Sequence, residues 1–98
     1  MKTITIEGKF KGSINNHARV DLYRPNPGGY DFSKSYDGDF KETLPDLKAN
    51  TNYFIDITGF TFGDFDLKIS GDFIGNQPIT DHFHKTDFKP GYSITTTP

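Results

Sequence analysis

Hydrophobic and polar residues alternate along most of this chain with a period of two. The alternation is clearest in four segments, in which apolar side chains are separated by charged residues, Thr or Ser: residues 2–11, 17–23, 53–58 and 65–69. Because successive side chains of a β-strand point to opposite faces, each segment predicts a strand with one buried face. The sequence shows no helical period, so an all-β protein is expected.

Turn signals divide the rest of the chain into shorter predicted strands, at about residues 30–36, 40–44, 79–83 and 92–96. Asp37-Gly38 predicts a tight hairpin turn, because both residues tolerate left-handed backbone angles. Pro25-Asn26-Pro27-Gly28-Gly29 predicts a loop, since proline has no backbone N–H to donate. The glycine-flanked residues 59–63 predict another turn.

Leu47 and Tyr53 have the spacing of a tyrosine corner, in which a phenol at the start of a strand hydrogen-bonds upstream backbone. Together with short strands about ten residues apart, this predicts a single antiparallel Greek-key β-sandwich of about seven strands, prealbumin-like or immunoglobulin-like. Residues 1–98 are expected to form this one domain, because their number suits a single hydrophobic core.

Composition narrows the function classes. Ten Phe and five Tyr predict an aromatic-rich core, although hydrophobic residues make up only 33% of the chain. A net charge of −2 with scattered Lys residues gives no electrostatic footprint for nucleic acid. No apolar run is long enough for a membrane span, and a chain without Cys has no disulfide framework.

The cellular compartment stays open at this point. The amino terminus lacks the apolar segment of a secretory signal. The chain is therefore expected either to be cytosolic or to have lost a signal peptide, and an extracellular or cell-surface location is favoured in the second case.

Five short motifs follow one another between residues 8 and 60: Gly8-x-Phe10-x-Gly12, Ala18-x-Val20-x-Leu22, Asp37-Gly38-Asp39-Phe40, Leu44-x-x-Leu47-x-x-x-Thr51-x-Tyr53 and Gly59-Phe60. The series resembles prealbumin-like or carboxypeptidase-regulatory-like domains, and residues 47–53 also resemble the corner of a fibronectin type III domain. Such domains are mostly accessory modules. The resemblance therefore implies a non-enzymatic interaction or structural module of a surface or secreted assembly, monomeric or weakly self-associating.

Three other segments bear on catalysis: Ala18-Arg19-Val20-Asp21-Leu22-Tyr23-Arg24, His82-Phe83-His84 and Gly91-Tyr92-Ser93. They are similar to parts of the transthyretin-related hydroxyisourate hydrolases, but the closing Tyr-Arg-Gly-Ser of that family is absent. Such an enzyme would need His17, His82 and His84 in one cleft with Arg19 or Arg24. Without a Cys or a nucleophile elbow, the chain is expected not to be an enzyme and to use no cofactor.

Aromatic side chains provide the candidate binding surface. If Tyr53 and Ile55 face the core, Phe54 faces outward. The candidate binding residues are Tyr30, Tyr36, Phe54, Phe60 and Phe62. Exposed rings in a planar line would stack on sugars beside Asp or Asn, so a carbohydrate-binding module is one alternative. The other is that the rings cover a sheet face or contact a protein partner.

His82 and His84 are weak candidates for metal ligands. On a strand they would share one face, with Asp81 nearby, and two imidazoles with a carboxylate suit zinc or another transition metal. No third or fourth ligand lies at a diagnostic spacing, so solvated histidines are the simpler interpretation and no metal is predicted. The aspartates of Asp37-Gly38-Asp39 and Asp64-x-Asp66 lack the full pattern of a calcium loop and are interpreted as turn residues.

Overall fold

Seven β-strands make up the regular structure of residues 1–25 and 28–98, the part of the chain that the computed structural model describes. They are β1 (Lys2–Lys11), β2 (Asn16–Tyr23), β3 (Phe32–Tyr36), β4 (Phe40–Leu47), β5 (Asn52–Gly71), β6 (Ile79–Phe88) and β7 (Gly91–Thr95). Every pair of neighbouring strands is antiparallel. The predicted all-β class and the antiparallel pairing of the strands are confirmed.

β5 is the central strand of the sheet and contains 20 residues. Along one edge it pairs with β2 and then with β1. Along the other edge it pairs with β7 and then with β6. β3 extends the sheet beyond β2, and β4 extends it beyond β1. One long strand thus holds the two halves of the molecule together.

The sheet curls because β5 bends near its middle. A straight strand of this length would measure roughly 66 Å, whereas the longest dimension of the molecule is 40 Å. The pairing with β6 shifts register between Thr61 and Asp64. At this point the buried Thr61 hydroxyl donates to Asn16 and accepts from the Gly63 backbone N–H. The result is a curled half-barrel.

The odd-numbered residues of β5 face inward along its whole length and meet the inward side chains of β1 and β2. The largest fully buried side chains are Ile4, Ile6, Val20, Leu22, Ile55, Ile57, Phe65, Leu67 and Ile69. Phe65 stacks on Phe10 and Phe88, each with a centroid distance of 4.6 Å, and on Phe40 at 6.3 Å. The core is therefore aromatic-rich, as the composition predicts.

Two predicted turns are wrong. Residues 59–63 lie inside β5, where Gly59 pairs with Ala18 on one edge and with Phe88 on the other. The glycine serves close strand packing rather than a turn, because a Cβ at Gly59 would lie 1.9 Å from the His17 carbonyl oxygen. Residues 37–39 do not close a hairpin either: β3 pairs with β2 and β4 with β1, so the chain crosses between the two halves here.

Strand lengths also differ from the prediction. β4 continues to Leu47 and β6 to Phe88, whereas β3 begins only at Phe32. In each case pairing with a neighbouring strand, rather than the local hydrophobic pattern, decides where the strand begins or ends. Asn26 and Pro27 of the predicted loop lie outside the described residues.

The tyrosine corner is confirmed. The hydroxyl of the buried Tyr53 accepts a hydrogen bond of 2.9 Å from the Lys48 backbone N–H. This bond anchors the short connection from β4 to β5, which lets β5 start directly after the chain leaves β4.

Asp72 joins both ends of the chain at the pole where β5 ends. Its backbone N–H donates to the Thr3 carbonyl at 2.9 Å, and its carboxylate accepts from the Thr3 N–H at 3.0 Å. Its carbonyl oxygen accepts from the Thr97 N–H at 3.0 Å. We call this arrangement the Asp72 clasp.

Candidate functional site

The outer face of β5 has two parts with different chemistry. In the first half of the strand, Phe54 and Asp56 point outward beside the aromatic residues of β2 and the following loop. In the second half, Asp64 and Asp66 point outward beside the histidines of β6. We refer to these parts as the aromatic groove and the charged strip.

The aromatic groove is open to solvent, is lined mainly by Tyr23, Arg24, Tyr30, Phe54 and Asp56, and has a volume of about 460 Å³. This volume lies within the range of small-molecule sites, roughly 300–1,000 Å³. The Tyr23 and Phe54 rings are 5.5 Å apart because these residues are directly opposite in the sheet. The Tyr30 ring meets Tyr23 edge-on at 5.8 Å. Two of the predicted binding residues, Tyr30 and Phe54, therefore meet around Tyr23.

Asp56 places an acceptor at the groove. Its Oδ2 accepts a 2.9 Å hydrogen bond from the Tyr23 hydroxyl, which raises the pKa of Tyr23. Its Oδ1 receives no hydrogen bond from the described residues and lies across the ladder from Gly91, where an added Cβ would be 3.1 Å away. An ionised carboxylate oxygen only accepts hydrogen bonds, so Asp56 suits a ligand that donates through a hydroxyl or an amine.

The two arginines beside the groove are both paired with aspartates. Arg24 makes a bidentate contact with Asp31, with distances of 3.1 and 3.0 Å. Arg19 donates to Asp21 at 3.0 Å, and its guanidinium lies 5.7 Å from the centre of the Tyr30 ring. This cation–π contact helps to position Tyr30, while the aspartate partners neutralise the positive charge of both arginines.

The charged strip contains two histidine–aspartate pairs across β5 and β6. His82 Nδ1 lies 2.6 Å from Asp66, and His84 Nδ1 lies 2.6 Å from Asp64. The hydrogen bond that His82 donates to Asp66 raises the pKa of His82. The hydrogen bond from His84 holds the pKa of the Asp64 carboxyl below its usual value. His82 also places Nε2 3.5 Å from Asp64, so this imidazole faces a carboxylate at each nitrogen.

Asp81, the third residue of the metal hypothesis, points away from this strip. It accepts a 2.7 Å hydrogen bond from the Tyr92 hydroxyl. Burial, and then this contact with Asp81, raise the pKa of Tyr92. Over residues 1–25 and 28–98, no group of three or more His, Cys, Asp and Glu side chains is arranged to hold a metal ion. His82 and His84 are thus adjacent, with carboxylates as their nearest partners.

The other predicted binding residues lie away from the groove. Phe60 and Phe62 form an exposed pair at the bend of β5, with a centroid distance of 5.8 Å. Tyr36 stacks on Phe40 at 4.1 Å and is half-buried. Burial, and then the neighbouring Glu42 carboxylate, raise the pKa of Tyr36. The five aromatic candidates therefore do not form a planar line.

The histidines and arginines named for a hydrolase occupy separate places. His17 contacts Asp37 at 3.0 Å and the Phe60 ring at 6.1 Å, near the bend. The other two histidines contact Asp64 and Asp66 in the charged strip. Arg19 and Arg24 face the aromatic groove with their own aspartates. The structure therefore does not bring the three histidines and an arginine into one cleft.

Tyr23 and Asp56 are the groove residues that the sequence pattern did not single out. Both occupy outward positions of strands that were predicted, so the alternation itself places them on the surface. Their meeting with Phe54 depends on how β2 aligns with β5, since that register sets which residues are opposite. An alternation pattern carries no information on the register between distant strands.

Comparison with known proteins assigns neither a family nor a function to this chain. No protein-family model, curated protein or solved structure matches this chain. In the described part of the chain, no helix is long and apolar enough to cross a membrane.

Proposed function

We propose that this protein is a non-enzymatic binding module of a surface or secreted assembly and that the aromatic groove holds a saccharide. The proposal rests on one observation: three aromatic rings line one groove with Asp56, whose Oδ1 receives no hydrogen bond from the described residues. A sugar ring offers an apolar C–H face to aromatic side chains and hydroxyl donors to a carboxylate. Both complementary surfaces are present within one groove of suitable volume.

The proposed architecture is a Greek-key sandwich of the prealbumin-like type. The tyrosine corner at Tyr53 supports it, because this hydrogen bond is typical of sandwich edges. The bend of β5 also supports it, since the two halves of the strand enclose one aromatic core. In a sandwich the inner faces of the two sheets form the core, so the outward-facing side chains stay exposed for binding.

Binding rather than catalysis is proposed because the titratable groups of the groove are engaged with one another. Tyr23 donates to Asp56, and Arg24 is held by Asp31. A general acid or base must instead be placed to exchange a proton with the substrate. The raised pKa of Tyr23 keeps its hydroxyl protonated, as a hydrogen-bond donor, at neutral pH.

The test is an NMR titration of ¹⁵N-labelled protein with a panel of soluble oligosaccharides. We expect saturable amide shifts at Tyr23, Tyr30 and Phe54 with at least one sugar. Tyr30→Ala should weaken that binding about tenfold, which corresponds to about 1.4 kcal/mol. Phe62→Ala is the matched control, because this exposed ring lies at the bend. Absence of shifts with every sugar, or shifts confined to the bend, would contradict the proposal.

A second candidate function is protein binding at the bend. Phe62 is 62% exposed and Ile14, in the adjacent turn, is 95% exposed. The Phe62 N–H donates to the Asn15 carbonyl, which holds the turn beside β5. Scattered exposed apolar residues of this size support at most weak self-association, so the protein is proposed to be a monomer or a weak oligomer. Sedimentation velocity over a concentration series, with Phe62→Ser for comparison, tests this.

A further inference from the structure

We infer that the saccharide is neutral and that the groove takes a soluble sugar chain one or two rings at a time rather than a flat crystalline surface. This inference rests on the proposed saccharide function and adds the class of ligand to it. It is carried by the charge pairing of the groove and by the angles between its rings.

The charges at the groove favour a neutral ligand. Arg24 contributes the positive charge among the described residues that line the groove, and Asp31 binds it through two hydrogen bonds. The available oxygen of Asp56 is part of a carboxylate. A uronic acid or a sulfated sugar would therefore meet a negative oxygen with no unmatched cation to offset it. Unpaired like charges brought together in a binding site disfavour the ligand that carries them.

The acceptor at the groove favours a ligand with hydroxyl donors. Asp56 Oδ1 accepts hydrogen bonds and donates none, so it selects hydroxyl groups. A site built around such a contact discriminates strongly against an analogue that lacks the hydroxyl, because the carboxylate oxygen is then left unpaired. Neutral sugars are rich in hydroxyl donors and carry no charge, which matches both requirements of the groove.

The angles between the aromatic rings favour a single sugar chain. The Tyr23 and Tyr30 rings meet at an interplanar angle of 73°, and the Tyr23 and Phe54 rings at 38°. Rings at these angles cannot lie against one flat surface. They instead form the walls of a groove that contacts a sugar from more than one side. This arrangement suits a single flexible chain, whose rings enter the groove individually.

The first experiment is isothermal titration calorimetry of the full chain at neutral pH and physiological salt. Its ligands are neutral hexasaccharides of β-glucan, mannan and xylan, and the matched oligogalacturonate and oligomannuronate. We expect at least one neutral ligand to bind about tenfold more tightly than either uronate. Tighter binding of a uronate would overturn the inference and leave the proposed function standing. No binding by any of these ligands would overturn the proposed function itself.

The role of the Arg24–Asp31 pair is tested separately with a variant. Asp31→Asn removes the carboxylate that neutralises Arg24, so the ratio of uronate affinity to neutral-sugar affinity should rise at least about fivefold. Asp37→Asn, which removes a carboxylate beside His17 at the bend, is the matched control and should leave this ratio unchanged. An unchanged ratio in Asp31→Asn, in a variant whose thermal unfolding shows that it is folded, would contradict the role assigned to the Arg24–Asp31 pair.

The preference for a single soluble sugar chain over a flat surface is tested with insoluble polymers. Protein that binds a soluble neutral hexasaccharide should not be depleted from solution by microcrystalline cellulose, crystalline chitin or crystalline mannan. The Tyr30→Ala variant serves as the control for residual adsorption to the solid. Depletion of the unchanged chain, but not of Tyr30→Ala, would show that the groove accepts a flat array and would overturn this part of the inference.

Discussion

The aromatic groove and the charged strip lie on the same face of the same strand, yet they differ in how they use their charges. In the groove, aspartates bind arginines or a tyrosine, and one oxygen of Asp56 is left available beside aromatic rings. In the strip, Asp64 and Asp66 are each bound to a histidine. The inward residues of both halves belong to one core. The two halves thus share one core, while their outward residues give each half a different surface chemistry.

The largest expected effect comes from the shared core. Phe65 is fully buried and stacks on four other aromatic rings, so Phe65→Ala should lower the free energy of unfolding by about 3–5 kcal/mol. Because one core underlies both regions, NMR signals of Tyr23 and of His82 should disappear at the same urea concentration. Different urea midpoints for the two residues would show that the two halves unfold separately, as independent units.

The next largest effect should be confined to the groove. Gly91→Ala places a Cβ 3.1 Å from Oδ1 of Asp56, which crowds the acceptor proposed for the ligand. We expect sugar affinity, measured by calorimetry, to fall about tenfold, with the His82 titration unchanged. Gly38→Ala is the matched control, since an added Cβ there meets no atom within 4 Å. Equal affinities of the two variants would place the ligand away from Asp56.

A smaller effect should lower the stability of the fold and leave both outer surfaces unchanged. Tyr53→Phe removes the hydroxyl that accepts from Lys48 and should cost about 1 kcal/mol of unfolding free energy in chemical denaturation. Sugar affinity and the His82 titration should not change, because the corner belongs to neither surface. Tyr30→Phe is the matched control for stability, since its ring is 56% exposed. If both variants lost the same unfolding free energy, the Tyr53 hydroxyl would stabilise the fold no more than an exposed hydroxyl does, which would contradict this prediction.

The smallest effect concerns protonation of the charged strip. Because Asp66 raises the pKa of His82, an NMR titration of the imidazole should have its midpoint above the ordinary value of 6.5. Asp66→Asn should lower that midpoint, and Asp37→Asn should leave it unchanged. The described residues of the groove include no histidine, so sugar affinity should stay constant over the range in which His82 titrates. A sugar affinity that follows the His82 titration would show that the two regions are coupled.

The same pKa shifts set the direction of pH effects on stability. His82 favours the folded state fully below its unfolded pKa of about 6.5, and this contribution is lost as pH rises through the higher folded pKa. Asp64 favours the folded state above its unfolded pKa of about 3.8, and its contribution is lost as pH falls through the lower folded pKa. Both groups are exposed, so added salt should weaken both contributions.

The features that the sequence predicted correctly are those that depend on residues close together along the chain. The period of two identified β1, β2 and both parts of β5, and it placed Phe54 on the outer face. The tyrosine corner could be predicted because the Lys48–Tyr53 contact joins residues close in sequence. In these cases side-chain parity and short-range hydrogen bonding decide the structure.

The remaining errors arise from contacts between distant strands. The turn signal at Gly59 is overridden because both edges of β5 are paired at that residue. Asp37-Gly38 connects the two halves rather than a hairpin, which brings Tyr36 onto Phe40 instead of onto a binding surface. The groove required the register of β2 against β5, which brings Tyr23 opposite Phe54. Such long-range alignments are properties of the assembled sheet and have no local signature.

The Asp72 clasp has a topological consequence. Because Thr3 and Thr97 both bind Asp72, the first and last strands enter and leave the fold at one point. A circular permutant can therefore join these ends by a short linker and open the chain at Gly38, where no strand pairing is cut. For the same reason the whole fold can be inserted into a surface loop of a host protein without forcing the two sides of that loop apart.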